Sequence, residues 1–336
     1  MQSNGNTCPP LNNLHFFMFL VSVIVPNYNH ASFLRQRFDS IFNQTFQNFE
    51  VIILDDCSTD NSKEIIEEYR NHPQVSHIIY NETNSGSPFK QWAKGFNLAK
   101  GEYIWIAESD DWAELNFLEE MVSALQKDCD TVLAFSNSIW FSEYGVQKHS
   151  DVFRRNRILS GNSFFYKKMI THNSICNASC VLFKRRILLQ ISTLYQTFKG
   201  CGDWIFWIEF CRRGNICYIS KALNHFRQHE KSTTKKSFLS GTTYKESFLI
   251  YSYIKKQTKI PFLKRHCWAT FFLTYPKKNP NIVANYPEIC KDINEKWKKE
   301  IWSPLFSRIY VDVMFVSWNV KKFIYSILNK EIDDFF

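Results

Sequence analysis

Three short runs in the first third of the chain, "VSVIV" (21–25), "FEVIILDD" (49–56) and "EYIWIAESDD" (102–111), are apolar at almost every position until their polar ends. A strand with one wet face alternates apolar and polar residues, so near-continuous runs predict parallel strands covered on both faces. Between them the period lengthens. Leu34, Phe38, Ile41 and Phe42 fall at i, i+4, i+7 and i+8; Phe89, Trp92, Ala93 and Phe96 fall at i, i+3, i+4 and i+7, and Leu118, Met121, Val122 and Leu125 repeat that spacing. Each set predicts a helix that lays one face on a sheet. In "DNSKEIIEEY", Asn61 and Glu64 stand at capping-box spacing and predict another helix start. "TVLAFSNSIW" (131–140) predicts one more strand. The alternation implies an α/β fold with a doubly wound, mostly parallel sheet joined by right-handed crossovers. Such sheets bind ligands at the carboxyl ends of their strands. From about residue 231 the β units stop and helical spacing rich in Lys and aromatics takes over. The expected division is an extension over 1–19, in which Met18 is an alternative start, a main domain over 20–230, and a basic, aromatic-rich helical region over 231–336.

Composition narrows the class. With 45% hydrophobic and 22% charged residues among 336, the chain is globular, and Phe alone counts 31. Its ten cysteines include no C-x-x-C pair and no His-flanked metal spacing, which predicts reduced thiols used for packing in a cytoplasmic protein. No segment reaches the roughly 18 uninterrupted apolar residues of a spanning helix. "IYVDVMFVSWNVKKFIYSIL" (309–328) comes nearest, but Asp312, Asn319, Lys321 and Lys322 interrupt it. The net charge of +9 is uneven, because residues 231–336 hold 19 Lys and Arg against 9 Asp and Glu. With Trp302, Phe306, Phe315, Trp318 and Phe323 interleaved, that region suits a solvated surface and a peripheral contact with the anionic inner face of a plasma membrane equally well. Nucleic acid is not expected, since the basic excess joins no recognisable binding module.

The strand ends carry the chemistry. Parallel neighbours would bring "PNYN" (26–29), "DDCSTDNS" (55–62) and "ESDD" (108–111) to one rim. Carboxylates packed there repel by a few kcal/mol per close pair at an effective dielectric of ~20, so a cation is required. Mg2+ or Mn2+ suits these oxygens and typically completes its shell from substrate phosphates, which implies a nucleoside diphosphate. No Gly-rich phosphate loop follows the first strand, which disfavours P-loop NTPases and Rossmann dehydrogenases together. Taken singly the pieces are less telling: "ESDDWAE" also fits a helix N-terminus, "DDCSTDNS" a capped turn, Asp203 a buried structural acid, His229 a packing histidine, and Lys90 a solvated helix residue.

Together, "VSVIVPNYNHASFLRQRFDSIFNQTFQNFEVIILDDCSTDNS", "NSGSPFKQWAKGFNLAKGEYIWIAESDD", "GCGDWIFWIEF" and "LNHFRQHEKS" resemble glycosyltransferase family 2, enzymes of the GT-A fold, over roughly residues 20–232. The resemblance implies a metal-dependent, inverting transfer from a nucleotide-sugar donor, a UDP-sugar first, to a glycan or lipid-linked acceptor in cell-surface synthesis. Pro26, Tyr28 and Asn29 match the loop on the nucleotide base, and Asp56, with Asp55 beside it, matches the acid at the base edge. Glu108-Ser109-Asp110 stands at the family's D-x-D, which assigns the metal to Asp110 and Asp111 and the ribose side to Glu108, although the family usually has Asp first. Asp203 matches the catalytic base, here preceded by Gly202 where an acid is usual. Arg227 and His229 match a later R-x-H, expected near the diphosphate or metal, and in "SPFKQWAKG", where many members carry a shorter segment with Arg and Asn, Lys90 is expected to take over phosphate contact. The Glu108 and Gly202 departures keep a non-catalytic nucleotide- or glycan-binding protein of the same fold as the alternative. A sugar nucleotidyltransferase fits less well, because its Gly-rich, Arg/Lys-containing N-terminal loop is missing.

Overall fold

The structure is a computed structural model that describes residues 19–300, apart from 151, 176, 231 and 279. The expected extension before residue 19 and the interrupted apolar segment at 309–328 lie outside the described residues, as do Trp302, Phe306, Phe315, Trp318 and Phe323. The contacts form two compact units, one built from residues up to Phe165 with Ser174–His229, the other from Tyr166–Asn173 with Glu230 onward.

The first unit holds a ten-stranded sheet. In chain order its strands are β1 (Val21–Asn27), β2 (Phe49–Asp55), β3 (Val75–Tyr80), β4 (Tyr103–Ile106), β5 (Trp112–Ala113), β6 (Thr131–Ser142), β7 (Gly145–His149), β8 (Arg157–Ser160), β9 (Val181–Lys184) and β10 (Asn215–Arg227). The order across the sheet is β3-β2-β1-β4-β9-β6-β10-β5, with β7 on β6 and β8 on β10. β3, β2, β1 and β4 run parallel. β9 is antiparallel to both β4 and β6, while β10 is parallel to β6. The apolar runs thus become central parallel strands, and β1 and β2 are buried along their whole length.

Helices cover both faces, as a sheet without a wet face demands. Val21, Val23, Val25, Val51, Ile53 and Trp105 share a core with Leu34, Phe38 and Ile41 of α1 (Ala31–Phe42), Ile65 and Ile66 of α2 (Ser62–Glu68), and Phe117, Leu118 and Met121 of α4 (Phe117–Gln126). On the other face lie α3 (Pro88–Leu98) and α6 (Gly202–Cys211), and Phe183 of β9 meets Phe96, Phe206, Trp207 and Phe210 there. A Cβ on Gly95 of α3 would come 2.5 Å from Ile24 Cγ2, so this glycine lets the helix sit directly on β1. A short α5 (Gly161–Phe164) follows β8.

The second unit is helical, with α7 (Thr233–Leu239), α8 (Thr242–Gln257), α9 (Phe262–Lys278), α10 (Pro280–Asn285) and α11 (Pro287–Lys298). Trp297 is fully buried, its ring stacked on Phe272 and close to Tyr251 and Trp268. Among the described residues no helix is long and apolar enough to cross a membrane.

Two expectations are corrected. The cysteines are not all thiols: Cys129 is disulfide-bonded, while Cys57, Cys180, Cys201, Cys211, Cys217, Cys267 and Cys290 are free. The α2 cap is also displaced. Asn61 is the N-cap residue but makes no side-chain cap bond; Asp60 Oδ1 instead accepts from Ser62 N at 3.0 Å while its Oδ2 accepts from Ala31 N at 2.9 Å. One carboxylate therefore serves the starts of two helices, which a single-helix capping pattern does not describe.

Candidate active site

The loops that leave β1, β2 and β4 meet at the carboxyl end of the sheet. After β1 the chain turns through Tyr28, which is 41% exposed, and Asn29, whose φ of 57° lies in the left-handed region that Asn tolerates. Pro26 is buried at position six of β1. Asn29 Oδ1 accepts from Thr59 N at 2.7 Å and Asn29 N donates to Ser58 Oγ at 2.9 Å, so the first two loops are tied together. Asp55 is consumed in that tie, accepting from Asn27 Nδ2 at 2.8 Å, Ser58 Oγ at 2.6 Å and Ser58 N at 2.9 Å.

Asp56 is equally occupied. Its Oδ1 accepts from Asn81 Nδ2 at 2.6 Å, Gln91 Nε2 at 2.8 Å and Ser85 N at 2.9 Å, and its Oδ2 accepts from Ser85 Oγ at 2.8 Å. Four donors make this acid the anchor of the segment entering α3. Lys90, in the first turn of that helix, donates from Nζ to Ser85 O at 3.0 Å at the exposed edge of the same segment.

β4 ends at Ile106, and Glu108 to Asp111 form a turn closed by Asp111 N donating to Glu108 O at 3.2 Å. The three acids then part company. Glu108 Oε1 accepts from Trp92 Nε1 at 2.8 Å, and burial, then the Asp110 charge, push its carboxyl up to about 8. Asp111 accepts from Asn177 Nδ2 at 2.8 Å and Arg227 N at 2.9 Å, and burial with the Asp110 charge raises it too. Asp110 Oδ2 lies 2.9 Å from His229 Nε2. Burial would raise Asp110, but the His229 hydrogen bond and the His30 and His229 charges outweigh it and hold it below the usual carboxylate range.

His229 follows β10, and Arg227 is the last residue of that strand. The Arg227 guanidinium lies 4.5 Å from the Phe33 ring centroid and 4.9 Å from Trp112, with Nε donating to Asp110 O at 2.9 Å and Nη2 to Gln36 Oε1 at 2.6 Å. It staples the acidic turn to α1, a use that its expected place near the diphosphate does not describe.

Several residues that hold this rim were not foreseen. His30 Nδ1 lies 2.8 Å from Ser109 Oγ, and its ring meets the His229 ring edge-on at 5.4 Å. One ligand-capable atom from each of His30, Asp110 and His229 lies within 4.8 Å of the others, the only such group of His, Cys, Asp and Glu among the described residues. Asp111 stands beside this group, with its oxygens on Asn177 and Arg227. Beneath it Arg37 of α1 is fully buried, its guanidinium 4.8 Å from the Trp105 ring, with Nε, Nη1 and Nη2 lacking hydrogen-bond partners. Burial lowers Arg37 to about 10 against the opposing charges of Asp111, Glu108 and Asp110. The one available signal was its position, three residues after Leu34 and next to Phe38 on the face predicted to be apolar. Asn177 and Ser179 precede β9, where Ser179 Oγ accepts from Glu108 N at 3.1 Å; nothing in their local sequence pointed to this.

Asp203 is part-exposed in the first turn of α6. That turn abuts the start of α3: a Cβ on Gly202 would lie 2.6 Å from both Phe89 Cδ2 and Tyr195 O, so the acid usual at this position has no room. Further along, Phe206 and Trp207 pack on Trp92 at 5.7 and 6.2 Å, and Trp92 reaches Glu108. The helix of Asp203 is thereby connected to the segments of Asp56 and of Glu108.

A two-imidazole, one-carboxylate group beside a loop bearing Asp55 and Asp56 fits a divalent ion, because it offers neutral nitrogens and one charge in place of unrelieved repulsion. The profile of the family described as "Glycosyl transferase family 2" matches residues 22–191. The "Glycosyltransferase GlyG" of Streptococcus pneumoniae is 39% identical over 299 residues, covering 88% of this chain and 84% of that protein. Among solved structures, S. aureus TarS 1–349 in complex with UDP-GlcNAc superposes with a TM-score of 0.60 at 20% identity, over 87% of this chain and 88% of that one. The mannosyltransferase PcManGT of Pyrobaculum calidifontis, in complex with GDP-Man and Mn2+, gives 0.51 at 14% identity, over 88% and 86%. The two structural likenesses concern the fold, which is GT-A.

Proposed function

Because the chain belongs to glycosyltransferase family 2, we propose that it is an inverting enzyme that moves a sugar from a nucleoside-diphosphate donor, UDP-sugars foremost, to a hydroxyl of a glycan or lipid-linked acceptor in cell-surface polysaccharide, lipopolysaccharide or glycolipid synthesis. The observation that carries this reading is the meeting of Asp110 with His229 at 2.9 Å on the rim that also bears Asp55 and Asp56. The cytoplasmic placement loses one support, since Cys129 is disulfide-bonded.

In this proposal the exposed Tyr28 ring, with Pro26 and Asn29 behind it, receives the base. Asp56 orders the wall beside it, and a bond to the base edge would replace one of its present donors. Lys90 serves the phosphates from the edge of α3. Glu108, held by Trp92, faces the ribose side, and Arg227 holds the acidic turn from below. A divalent ion held by Asp110 and His229 would supply Lewis-acid neutralisation of charge on the leaving diphosphate.

Asp203 is the proposed base. It accepts the proton of the acceptor hydroxyl while that oxygen bonds to the anomeric carbon, and the bond from that carbon to the diphosphate oxygen breaks on the opposite face. A single displacement inverts the configuration. A general base contributes typically ~10²–10⁴ in rate, so Asp203→Asn should lower kcat by that factor and leave the donor KM nearly unchanged. The experiment is a panel of nucleotide sugars assayed for transfer and hydrolysis, with NMR of the product anomer. Retained configuration, or full activity in Asp203→Asn, overturns the mechanism. Donor binding without turnover across the panel favours the binding-only reading that Gly202 keeps alive.

A further inference from the structure

We propose that His30 is a third protein ligand of the metal ion, and that the resulting His30–Asp110–His229 set selects Mn2+ and related transition ions over Mg2+. This rests on the reading of the rim as the metal-bearing donor site, and it adds a ligand and a selectivity that the D-x-D resemblance does not contain.

Four observations support it. The ligand atoms of the three residues lie within 4.8 Å of one another. Ligands around one ion at ~2.0–2.2 Å stand roughly 3 Å apart when adjacent and about 4.4 Å apart when opposite, so closure needs only a small inward shift. Next, His30 Nδ1 lies 2.8 Å from Ser109 Oγ, and Ser109 is 1% exposed between Glu108 and Asp110. Ligating imidazoles are typically oriented by a bond at their other nitrogen, and with Nε2 turned to the ion Ser109 would provide that bond at Nδ1. The loop also has few alternatives, since Ala31 N is fixed on Asp60 and Asn29 N on Ser58 on either side of His30. Phe33, 5.8 Å from the His30 ring and 5.2 Å from the His229 ring, packs against both imidazoles.

Selectivity follows from donor chemistry. Mg2+ takes oxygen ligands and sheds water reluctantly, so two imidazole nitrogens gain it little. Mn2+ and the later divalent ions bind imidazole with increasing affinity. A site built from Asp110 and Asp111 would treat Mg2+ and Mn2+ alike; one built from His30, Asp110 and His229 would not.

The test uses the full chain and Mn2+ alone. Binding is followed by loss of the free-ion electron paramagnetic resonance signal, and pulsed measurement counts nitrogen nuclei coupled to the bound ion. The expected result is two coupled imidazole nitrogens in the unaltered protein and one in His30→Ala. His30→Ala should bind Mn2+ at least ~10-fold more weakly, and a 100-fold excess of Mg2+ should fail to displace Mn2+ from the unaltered protein. One coupled nitrogen in the unaltered protein, or equal competition by Mg2+, overturns the inference, and neither result depends on how the variant folds. Sugar transfer with one coupled nitrogen leaves the transferase reading intact and removes this one. Two coupled nitrogens with no transfer from any donor does the reverse.

Discussion

Replacing Arg37 by Met should make the metal-free protein much less stable at pH 8 and little changed at pH 5. Arg37 is fully buried, and none of its three guanidinium nitrogens has a hydrogen-bond partner. On hydrogen bonds alone, Met would therefore be an improvement, because unpaired buried donors cost ~1–3 kcal/mol each. The opposing term is charge. Asp111, Glu108 and Asp110, in that order, interact with the guanidinium, and Coulomb energy for a close pair is about 4 kcal/mol at an effective dielectric of 20. Removing one partner of a buried charge group typically costs ~3–5 kcal/mol, so the charge term should win at pH 8, leaving a net loss of ~3 kcal/mol. At pH 5 Glu108 holds its proton and Asp111 is shifted the same way, so the charge term largely vanishes and the loss should fall below ~1 kcal/mol. The assay is urea unfolding of both proteins in chelator at the two pH values, repeated with Mn2+. Added Mn2+ should stabilise Arg37→Met more than the parent, since it supplies the missing positive charge. An equal loss at both pH values, or a variant more stable than the parent at pH 8, would refute the argument.

Three further outcomes are expected. Glu108 is raised from 4.5 to about 8, so the folded state holds the extra proton between those values and its stabilising effect is lost as pH rises through 8; Glu108→Gln should therefore gain on the parent in chelator from pH 5 to 8, read by melting temperature, and a gap that narrows with pH contradicts this. Gly202→Ala places a methyl 2.6 Å from Tyr195 O and Phe89 Cδ2, which should cost ~1–3 kcal/mol in urea unfolding; an unchanged midpoint would show that the α3–α6 junction yields. Asp56→Ala leaves donors from Asn81, Ser85 and Gln91 without their acceptor and should cost ~3–5 kcal/mol while Mn2+ affinity at Asp110 stays within about twofold; a large fall in Mn2+ affinity would show that the two loops act as one site.

Much of the parallel half of the sheet was legible because burial on both faces writes itself into sequence as unbroken apolar runs, as in β1 and β2. β3 was missed: "VSHIIY" is an edge strand, half-exposed throughout, and carries polar residues at two of six positions. β10 was missed because bulges at Ile219/Ala222 and Ala222/Asn224 break its alternation. At the site, the acids were visible as a cluster but their division of labour was not. Asp56 and Asp110 look alike in sequence, yet one is saturated by protein donors and the other faces two imidazoles. Their partners lie 25 to 119 residues away, beyond the reach of any local pattern. Arg37 was hidden for a different reason, since a charged residue on a helix is read as solvated unless its acidic neighbours across the fold are known.

The imidazole–carboxylate group draws on residues 30, 110 and 229, so it spans almost the whole first unit along the chain. A nascent polypeptide on the ribosome would have Asp110 and His30 exposed for the time needed to add more than a hundred residues before His229 emerges. Until then it presents a lone carboxylate and imidazole and, on the proposed reading, would bind metal weakly. Competence would switch on late and abruptly, when the end of β10 docks beside β6. On the proposed reading of the rim, truncated translation products ending before this point would lack one of the three ligands and would compete poorly with the finished protein for Mn2+.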